Sequence, residues 1–135
     1  MVRDVAVILL YDDKKRILLQ YRGENMERLP NHWAFFGGGI DEGETPEEAV
    51  KREAMEELEY SLENPRQVFV QDFKGVHNSG KKYVFIEKYN PQKKLVLHEG
   101  ENLGWKSFSD TKDLKIADHD REVIIFFNET IAPKL

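Results

Sequence analysis

The residues of this chain with the clearest chemical potential are carboxylates crowded behind three glycines. Residues 37–60 read GGGIDEGETPEEAVKREAMEELEY. Between Asp41 and Glu63 there are ten carboxylates and only two basic residues, Lys51 and Arg52. Repulsion among like charges costs stability unless something positive lies among them. A hard divalent cation with oxygen ligands is the natural partner of such a stretch.

A helix is predicted directly after the glycines. Thr45 suits the N-cap, Pro46 suits the first helical position, and Glu48 completes a capping box three residues after Thr45. The helix should therefore run from Pro46 to about Glu59. An apolar stripe along it should pack on a sheet and consists of Val50, Ala54 and Leu58.

Three glutamates share one narrow face of the predicted helix. With Glu53 as the reference and about 100° per residue, Glu57 lies about 40° to one side and Glu56 about 60° to the other. Ala49 lies between Glu56 and Glu53 and leaves the face open. Glutamate-rich helices are commonly only solvated surfaces, but the strand and glycines before this one favour a ligand site. Glycines let the backbone approach a ligand closely, and helix N–H groups point towards it.

The spacing of these residues resembles the Nudix box, the signature of MutT-like pyrophosphohydrolases, written GX5EX7REUXEEXGU with U a bulky aliphatic. The sequence departs from it most clearly at Glu59, where the family has glycine. The flanking segments ILLQYR and HEGENLGWKSF also resemble the surroundings of the box. The first glycine and every charged position of the motif are present: Gly38, Glu44, Arg52, Glu53, Glu56 and Glu57.

The resemblance implies a metal site. Glu53, Glu56 and Glu57 would bind Mg²⁺ or Mn²⁺, with a backbone carbonyl near Gly38 as a further ligand. The ion would polarise a phosphoryl oxygen and neutralise a diphosphate.

The resemblance also implies a structural loop in front of the helix. Gly38, Gly43 and Glu44 belong to this loop. Arg52 is also a candidate catalytic residue. By the resemblance, it would bridge to Glu44 and hold the loop on the helix.

The general base is open between two glutamates. Glu57 within the box is one candidate, and Glu99 in the HEGE segment is the other, by its match to a later family loop. Glu101 is a neighbour that also fits. A base has to reach the attacking water, so geometry must decide.

By resemblance, the reaction is hydrolysis of a nucleoside diphosphate linked to another group X. The short chain favours a (deoxy)nucleoside triphosphate, giving the monophosphate and pyrophosphate. Asp118 and Asp120, at the start of the last predicted helix, lie where some MutT-like proteins place a purine-reading side chain, although Asp118 also suits a helix N-cap. We take Asp120 and Arg22 as candidate substrate-binding residues.

Two other classes of function stay open. Glu59 and Phe36 depart from the family pattern, which allows a non-catalytic nucleotide-binding sensor on the same fold. The third reading is an acidic Ca²⁺-binding protein, but the sequence contains no EF-hand loop pattern.

The remaining pattern predicts an α/β fold, with a mixed sheet and helices on both faces, as in the Nudix α/β/α sandwich. Residues 1–135 should form a single Nudix domain. A closing helix should follow Asp118 as its N-cap, and VHNSG should link two antiparallel strands. The predicted strands cover residues 5–11, 16–22, 33–36, 67–73, 81–89 and 105–108.

The composition of the chain argues against nucleic-acid and membrane partners. A net charge of −5 disfavours nucleic-acid backbones, which attract clustered Lys and Arg. The 135 residues contain no cysteine and no apolar run suited to a signal peptide or a membrane span. We therefore expect a cytoplasmic monomer or homodimer that acts on a small nucleotide without a membrane or nucleic-acid partner. The histidines are scattered, without metal-ligand spacing: His32, His77, His98 and His119.

Overall fold

A mixed seven-stranded sheet organises the chain. The computed structural model describes residues 2–75 and 78–135. Strand β1 is central, because it pairs antiparallel with β2 and β4 and parallel with β6. Strand β2 also pairs with β3 and β7, and β5 lies at the edge beside β6. The strands are β1 (Val5–Tyr11), β2 (Ile17–Arg22), β3 (His32–Ala34), β4 (Phe36–Gly39), β5 (Arg66–Lys74), β6 (Ser79–Lys88) and β7 (Asn102–Lys106).

Helices cover both faces of this sheet. In the part of the chain that the structure describes they are α1 (Pro46–Leu58), α2 (Phe108–Thr111) and α3 (Asp118–Phe126). Helix α3 continues into a π-helical turn, Phe127–Ile131, and a short 3₁₀ turn, Ala132–Lys134.

Strand β1 separates two hydrophobic cores because its side chains alternate between the two faces of the sheet. Ala6, Ile8 and Leu10 pack in the core that contains α1, whereas Val7 and Leu9 pack in the core that contains α3. Burying an aliphatic side chain of this kind contributes about 1.5–3 kcal/mol. The predicted α/β/α sandwich with a mixed sheet is therefore confirmed.

Helix α1 begins as the sequence predicts. The Thr45 hydroxyl accepts a hydrogen bond from the Glu48 N–H at 3.1 Å, and the Glu48 carboxylate accepts one from the Thr45 N–H at 2.9 Å. The predicted apolar stripe is buried against the sheet. The helix ends at Leu58, and Glu59 is its C-cap in the left-handed conformation, with φ +51°. The family glycine is absent, yet the helix ends where the motif places its end.

Three local predictions were wrong. The strand predicted at residues 33–36 is divided into β3 and β4, and Gly38, which was predicted to belong to the loop, lies in β4, where Phe36–Gly39 pair with β1. The N-cap of α3 is Ala117, and Asp118 is its first helical residue. The strand expected at residues 105–108 is β7, which ends at Lys106, because Ser107 caps α2 there.

The antiparallel pairing of β5 with β6 was predicted correctly. The predicted VHNSG link between them includes Val76 and His77, which lie outside the described residues. Within residues 2–75 and 78–135, no helix is both long and apolar enough to cross a membrane.

Gly37 should be indispensable for the pairing of β4 with β1. Its φ is +145°, and a Cβ there would lie 2.2 Å from the backbone oxygen of Ala6. We expect Gly37→Ala to lower the free energy of unfolding by about 2 kcal/mol or more, measured by urea denaturation. Gly39→Ala is the matched control, because its Cβ would meet only the mobile end of Arg3. Equal losses in the two variants would contradict this account.

Candidate active site

A cavity of about 270 Å³ opens beside β4 and α1. Two groups of charged side chains line it. One group consists of Glu53, Glu57, Glu99 and Arg22, and the other of Lys82, His119 and Asp120; Arg28 lines the cavity as well. Apolar residues and two of the glycines complete much of the wall: Val5, Val7, Leu29, Ala34, Phe35, Phe73, Gly37 and Gly38.

The positive group among the carboxylates of α1 is Arg52. Its Nε and Nη2 atoms donate to the two oxygens of Glu44 at 2.8 and 3.0 Å, and Nη2 also donates to the carbonyl of Gly39 at 3.0 Å. Its Nη1 atom donates to Glu53 at 3.0 Å and to Glu56 at 3.3 Å. One guanidinium therefore connects β4, the loop after it and the acidic face of α1.

These contacts shift the pKa values of Glu44 and Arg52. The guanidinium of Arg52, together with the N–H of Asp41, lowers the pKa of Glu44 to about 2. The hydrogen bonds to Glu44, which outweigh burial, raise the pKa of Arg52 above its usual value. The contact expected between Arg52 and Glu44 is thus present and holds the loop on the helix. The loop turns at Gly43, whose φ of +80° suits glycine.

Gly38 leaves space for a carboxylate. A Cβ at this position would lie 2.7 Å from Oε1 of Glu53, closer than real Cβ atoms approach other atoms. The side chain of Glu53 is 14% exposed and is aligned by Arg52. Because no side chain stands between them, the Glu53 carboxylate and the backbone of β4 face the same cavity.

Glu57 is the most deeply buried glutamate of the site, with 4% of its surface exposed. Its Oε1 atom accepts a hydrogen bond from the N–H of Gly37 at 2.8 Å. Burial, followed by the proximity of Glu99 and Glu53, raises the pKa of Glu57 far above its usual value. Burial and the neighbouring carboxylates therefore both disfavour the ionised form of Glu57.

Glu99 approaches this cluster from the segment before β7. Its carboxylate accepts a hydrogen bond from Arg22 Nη1 at 2.8 Å, and 31% of its side chain is exposed. Burial acts to raise the pKa of Glu99, but the hydrogen bonds with Glu57 and Arg22 outweigh burial and lower it. The surroundings of Glu99 thus shift its pKa in the direction opposite to that of Glu57.

The position of Glu99 is set by the end of α1. The N–H of His98 donates to the carbonyl of Glu57 at 2.8 Å, and the N–H of Val96 donates to the carbonyl of Leu58 at 2.9 Å. The His98 ring also lies 2.5 Å from the carboxylate of Glu59. These contacts bring together two glutamates that are 42 positions apart in the sequence.

Among the candidate metal ligands and general bases, Glu56 and Glu101 lie outside the cavity lining. Glu56 points to solvent with 57% of its side chain exposed and is paired with Arg52. Glu101 lines a separate polar hollow with Tyr21 and Gly100. The structure thus brings Glu53 and Glu57 together with Glu99, but it does not place Glu56 with them.

The carboxylate cluster has the chemistry of a divalent-cation site. In the described residues, no three His, Asp or Glu side chains are already arranged as a set of metal ligands. However, Glu53, Glu57 and Glu99 line one cavity, and Glu57 is buried there, where a bound cation would offset the repulsion between the carboxylates. All of these donors are oxygens, which suit Mg²⁺ or Mn²⁺. The residues therefore fit the ion that the resemblance implies.

A second charged group lies in the cavity wall, and of its members only Asp120 was predicted from the sequence as a site residue. The Nζ of Lys82, which is 1% exposed, donates to Asp120 and lies 2.8 Å from Nδ1 of His119. Burial opposes ionisation of Asp120, but the charge of Lys82 and the contact with His119 lower its pKa to about 2. Lys82 had no signal in the sequence, because it stands in the apolar strand run KKYVFIEKY.

Comparison with known proteins agrees with this fold and site. Residues 1–127 match the family described as NUDIX domain. The MutT protein from Methanosarcina mazei Go1 has a structure similar to this chain, with a TM-score of 0.83 and 21% identity, covering 94% of this chain and 93% of that chain. The sandwich fold is therefore shared, and the chain belongs to the Nudix family.

Two curated relatives match shorter stretches. The RNA pyrophosphohydrolase of Sulfurovum sp. (strain NBC37-1) is 41% identical over 58 residues, which are 41% of this chain and 34% of that protein. The nucleoside triphosphatase NudI of Enterobacter sp. (strain 638) is 56% identical over 35 residues, 26% of this chain and 25% of that protein. The matches thus span about a third and a quarter of those proteins.

The Arg52–Glu44 pair should make stability depend on pH in the acid range. The pKa of Glu44 falls from 4.5 to about 2 on folding, so ionised Glu44 stabilises the fold above pH 4.5. That contribution is lost as the pH falls towards 2. We expect the melting temperature of Glu44→Gln to change less than that of the wild type between pH 4.5 and pH 2. Glu47→Gln, which alters an exposed pair with Lys51, is the control; a Glu44→Gln profile parallel to the wild type would contradict the assignment.

Removing one partner of the buried pair of Lys82 and Asp120 should strongly destabilise the fold. Asp120→Ala leaves an ammonium group in the wall without its carboxylate, and we expect a loss of about 3–5 kcal/mol in the free energy of unfolding. Replacing both partners, with Lys82→Met and Asp120→Leu, should recover much of that loss. Urea unfolding of the three proteins measures this, and a double variant no more stable than Asp120→Ala would argue against a coupled pair.

Proposed function

We propose that this protein is a divalent-metal-dependent pyrophosphohydrolase that acts on a nucleoside diphosphate linked to X. Its preferred substrates would be (deoxy)nucleoside triphosphates, which it cleaves to the monophosphate and pyrophosphate. The observation that carries the proposal is the cavity in which Glu53, Glu57 and Glu99 meet the bare backbone of Gly38. Membership of the Nudix family and the partial matches to a pyrophosphohydrolase and a nucleoside triphosphatase support it.

Glu53 and Glu57 would hold Mg²⁺ or Mn²⁺, with the backbone near Gly38, and Glu56 would join at the exposed edge. A bound divalent ion supplies neutralisation of the diphosphate and polarisation of a phosphoryl oxygen. Arg52 acts as a positioning residue, because it aligns Glu53 and Glu56 without lining the cavity itself. Its contacts with Glu44 and Gly39 hold the loop and β4 in register with the helix.

Glu99 is the general base in this proposal. Part of its side chain is exposed, so water can reach it, whereas Glu57 is buried and held by the N–H of Gly37. A base must lie within hydrogen-bonding reach of the attacking water, directly or through one water. Glu99 would accept a proton from water as the oxygen of that water attacks one phosphorus atom of the diphosphate bridge. The bond from that phosphorus to the bridging oxygen breaks, and this oxygen leaves with the other phosphorus, so that the nucleoside monophosphate and pyrophosphate form.

Asp120 would contact the nucleoside. Together with Lys82 it places a fixed acceptor and a fixed donor in the cavity wall, close to the rings of Phe35 and Phe73. Apolar walls with a few placed polar groups are typical of small-molecule sites. We place the reaction in the cytoplasm, where nucleotide substrates are available.

The test is hydrolysis of a panel of nucleoside triphosphates, nucleoside diphosphate conjugates and a 5′-triphosphorylated RNA oligonucleotide, with and without Mg²⁺. We expect turnover of nucleoside triphosphates only when metal is present. Glu53→Gln should reduce kcat/KM by about 100-fold or more, since several kcal/mol of charge stabilisation are lost. Glu56→Gln should also reduce it.

Glu47→Gln, on the same helix but exposed and away from the cavity, is the matched control and should retain activity. Binding of nucleotide without turnover would identify a sensor. Absence of both binding and turnover would refute the proposal.

A further inference from the structure

We propose that Arg28 binds the phosphate chain of the substrate, and that Arg22 is a positioning residue for Glu99. The inference rests on the proposed function, since it names the group that receives the anionic part of that substrate. It assigns different roles to two arginines that line one cavity.

Three basic side chains of Lys or Arg line this cavity: Arg22, Arg28 and Lys82. Lys82 is buried, and the charge of Asp120 neutralises it at hydrogen-bonding distance. Moving Lys82 towards a phosphate would leave the buried carboxylate of Asp120 without its partner, which is strongly unfavourable. Lys82 is therefore not available to a polyphosphate.

Arg22 is committed in the same way. Its Nη1 donates to Glu99 at 2.8 Å and to the side-chain oxygen of Gln20 at 3.1 Å, and its Nε donates to the carbonyl of Arg28 at 2.9 Å. Only 11% of its side chain is exposed. Removing Arg22 from Glu99 would leave two carboxyl groups, those of Glu57 and Glu99, in contact without a cation beside them. The geometry thus assigns Arg22 to holding Glu99 in place.

Arg28 is neither buried nor paired with a carboxylate in the part of the chain that the structure describes. Its side chain is exposed where it lines the cavity, and among residues 2–75 and 78–135 it forms no salt bridge and donates no side-chain hydrogen bond. Its main chain is nevertheless fixed, because its carbonyl accepts the hydrogen bond from Arg22. One arginine therefore anchors the backbone of the other at the cavity that contains Glu99.

The chemistry of the two partners is complementary. A nucleoside triphosphate brings several negative charges to a wall that already contains Glu53, Glu57 and Glu99, and a divalent ion offsets only part of that repulsion. A guanidinium presents paired donors that match two phosphate oxygens. Because its fork is not occupied by a carboxylate, Arg28 can offer both donors to the substrate.

The experiment compares Arg28→Gln, Arg28→Lys, Arg22→Gln and Arg22→Lys in steady-state hydrolysis of a nucleoside triphosphate with Mg²⁺. Hydrogen bonds to charged groups contribute enough that we expect KM to rise about 10- to 100-fold in Arg28→Gln. Its kcat should stay within about twofold of the wild type, and Arg28→Lys should recover part of the affinity. Arg66→Gln, an exposed arginine on β5 away from the cavity, is the matched control and should change neither constant.

Arg22→Gln should show the opposite pattern. We expect kcat to fall because Glu99 loses its partner, with KM close to that of the wild type, and Arg22→Lys should restore part of kcat. A circular dichroism melt of each variant separates these effects from loss of folding. A raised KM in Arg22→Gln together with an unchanged KM in Arg28→Gln would overturn the assignment.

Calorimetric binding of inorganic pyrophosphate and of a non-hydrolysable nucleoside triphosphate analogue separates this inference from the proposed function. If the wild type binds these anions but hydrolyses nothing, the catalytic proposal fails, and weaker binding by Arg28→Gln still supports the role of Arg28. Equal affinity of the wild type and Arg28→Gln overturns that role whether or not the protein is an enzyme.

Discussion

The contact between Arg52 and Glu44 is the interaction on which the rest of the site depends. Both guanidinium edges are used: one holds the loop through Glu44 and the backbone of Gly39, and the other aligns Glu53 and Glu56. Strand β4, the loop and helix α1 therefore behave as one unit. Without the guanidinium of Arg52, the carboxylates on the acidic face of α1 would repel one another. Among the described residues, β4 would then be linked to α1 by packing and by the hydrogen bond between Gly37 and Glu57.

The same arrangement gives two glutamates different roles, one in holding the loop and one in the cavity. Glu44 is kept ionised by its partner and stabilises the loop, whereas burial, together with the nearby Glu99 and Glu53, raises the pKa of Glu57. Two glutamates on neighbouring elements thus have pKa values displaced in opposite directions by their surroundings. A buried carboxyl group beside other carboxylates favours the binding of a cation, because the cation stabilises the ionised forms that the site otherwise disfavours.

The local order of elements was largely predictable from the sequence. A continuous apolar, β-prone run predicted β1, and a capping box at Thr45 and Glu48 predicted the start of α1. The errors came from places where tertiary pairing outweighs local preference. The predicted strand stopped at Phe36 and Gly38 was placed in a loop, but the glycines of β4 pair with β1, because only residues without a side chain fit against Ala6 and Glu53. The N-cap of α3 is an alanine, which no capping rule would select.

For the candidate site, the sequence by itself determined which residue types occur on α1 and at what spacing. A helical period brings Glu53 and Glu57 to neighbouring positions and leaves Arg52 beside them, whatever the rest of the chain does. Only the tertiary structure decided that Glu56 faces solvent, that Glu99 joins Glu57, and that Lys82 pairs with Asp120. These relations join residues that are far apart along the chain or depend on which side of a helix the sheet covers. They are set by strand pairing and packing, which short-range periodicity does not encode.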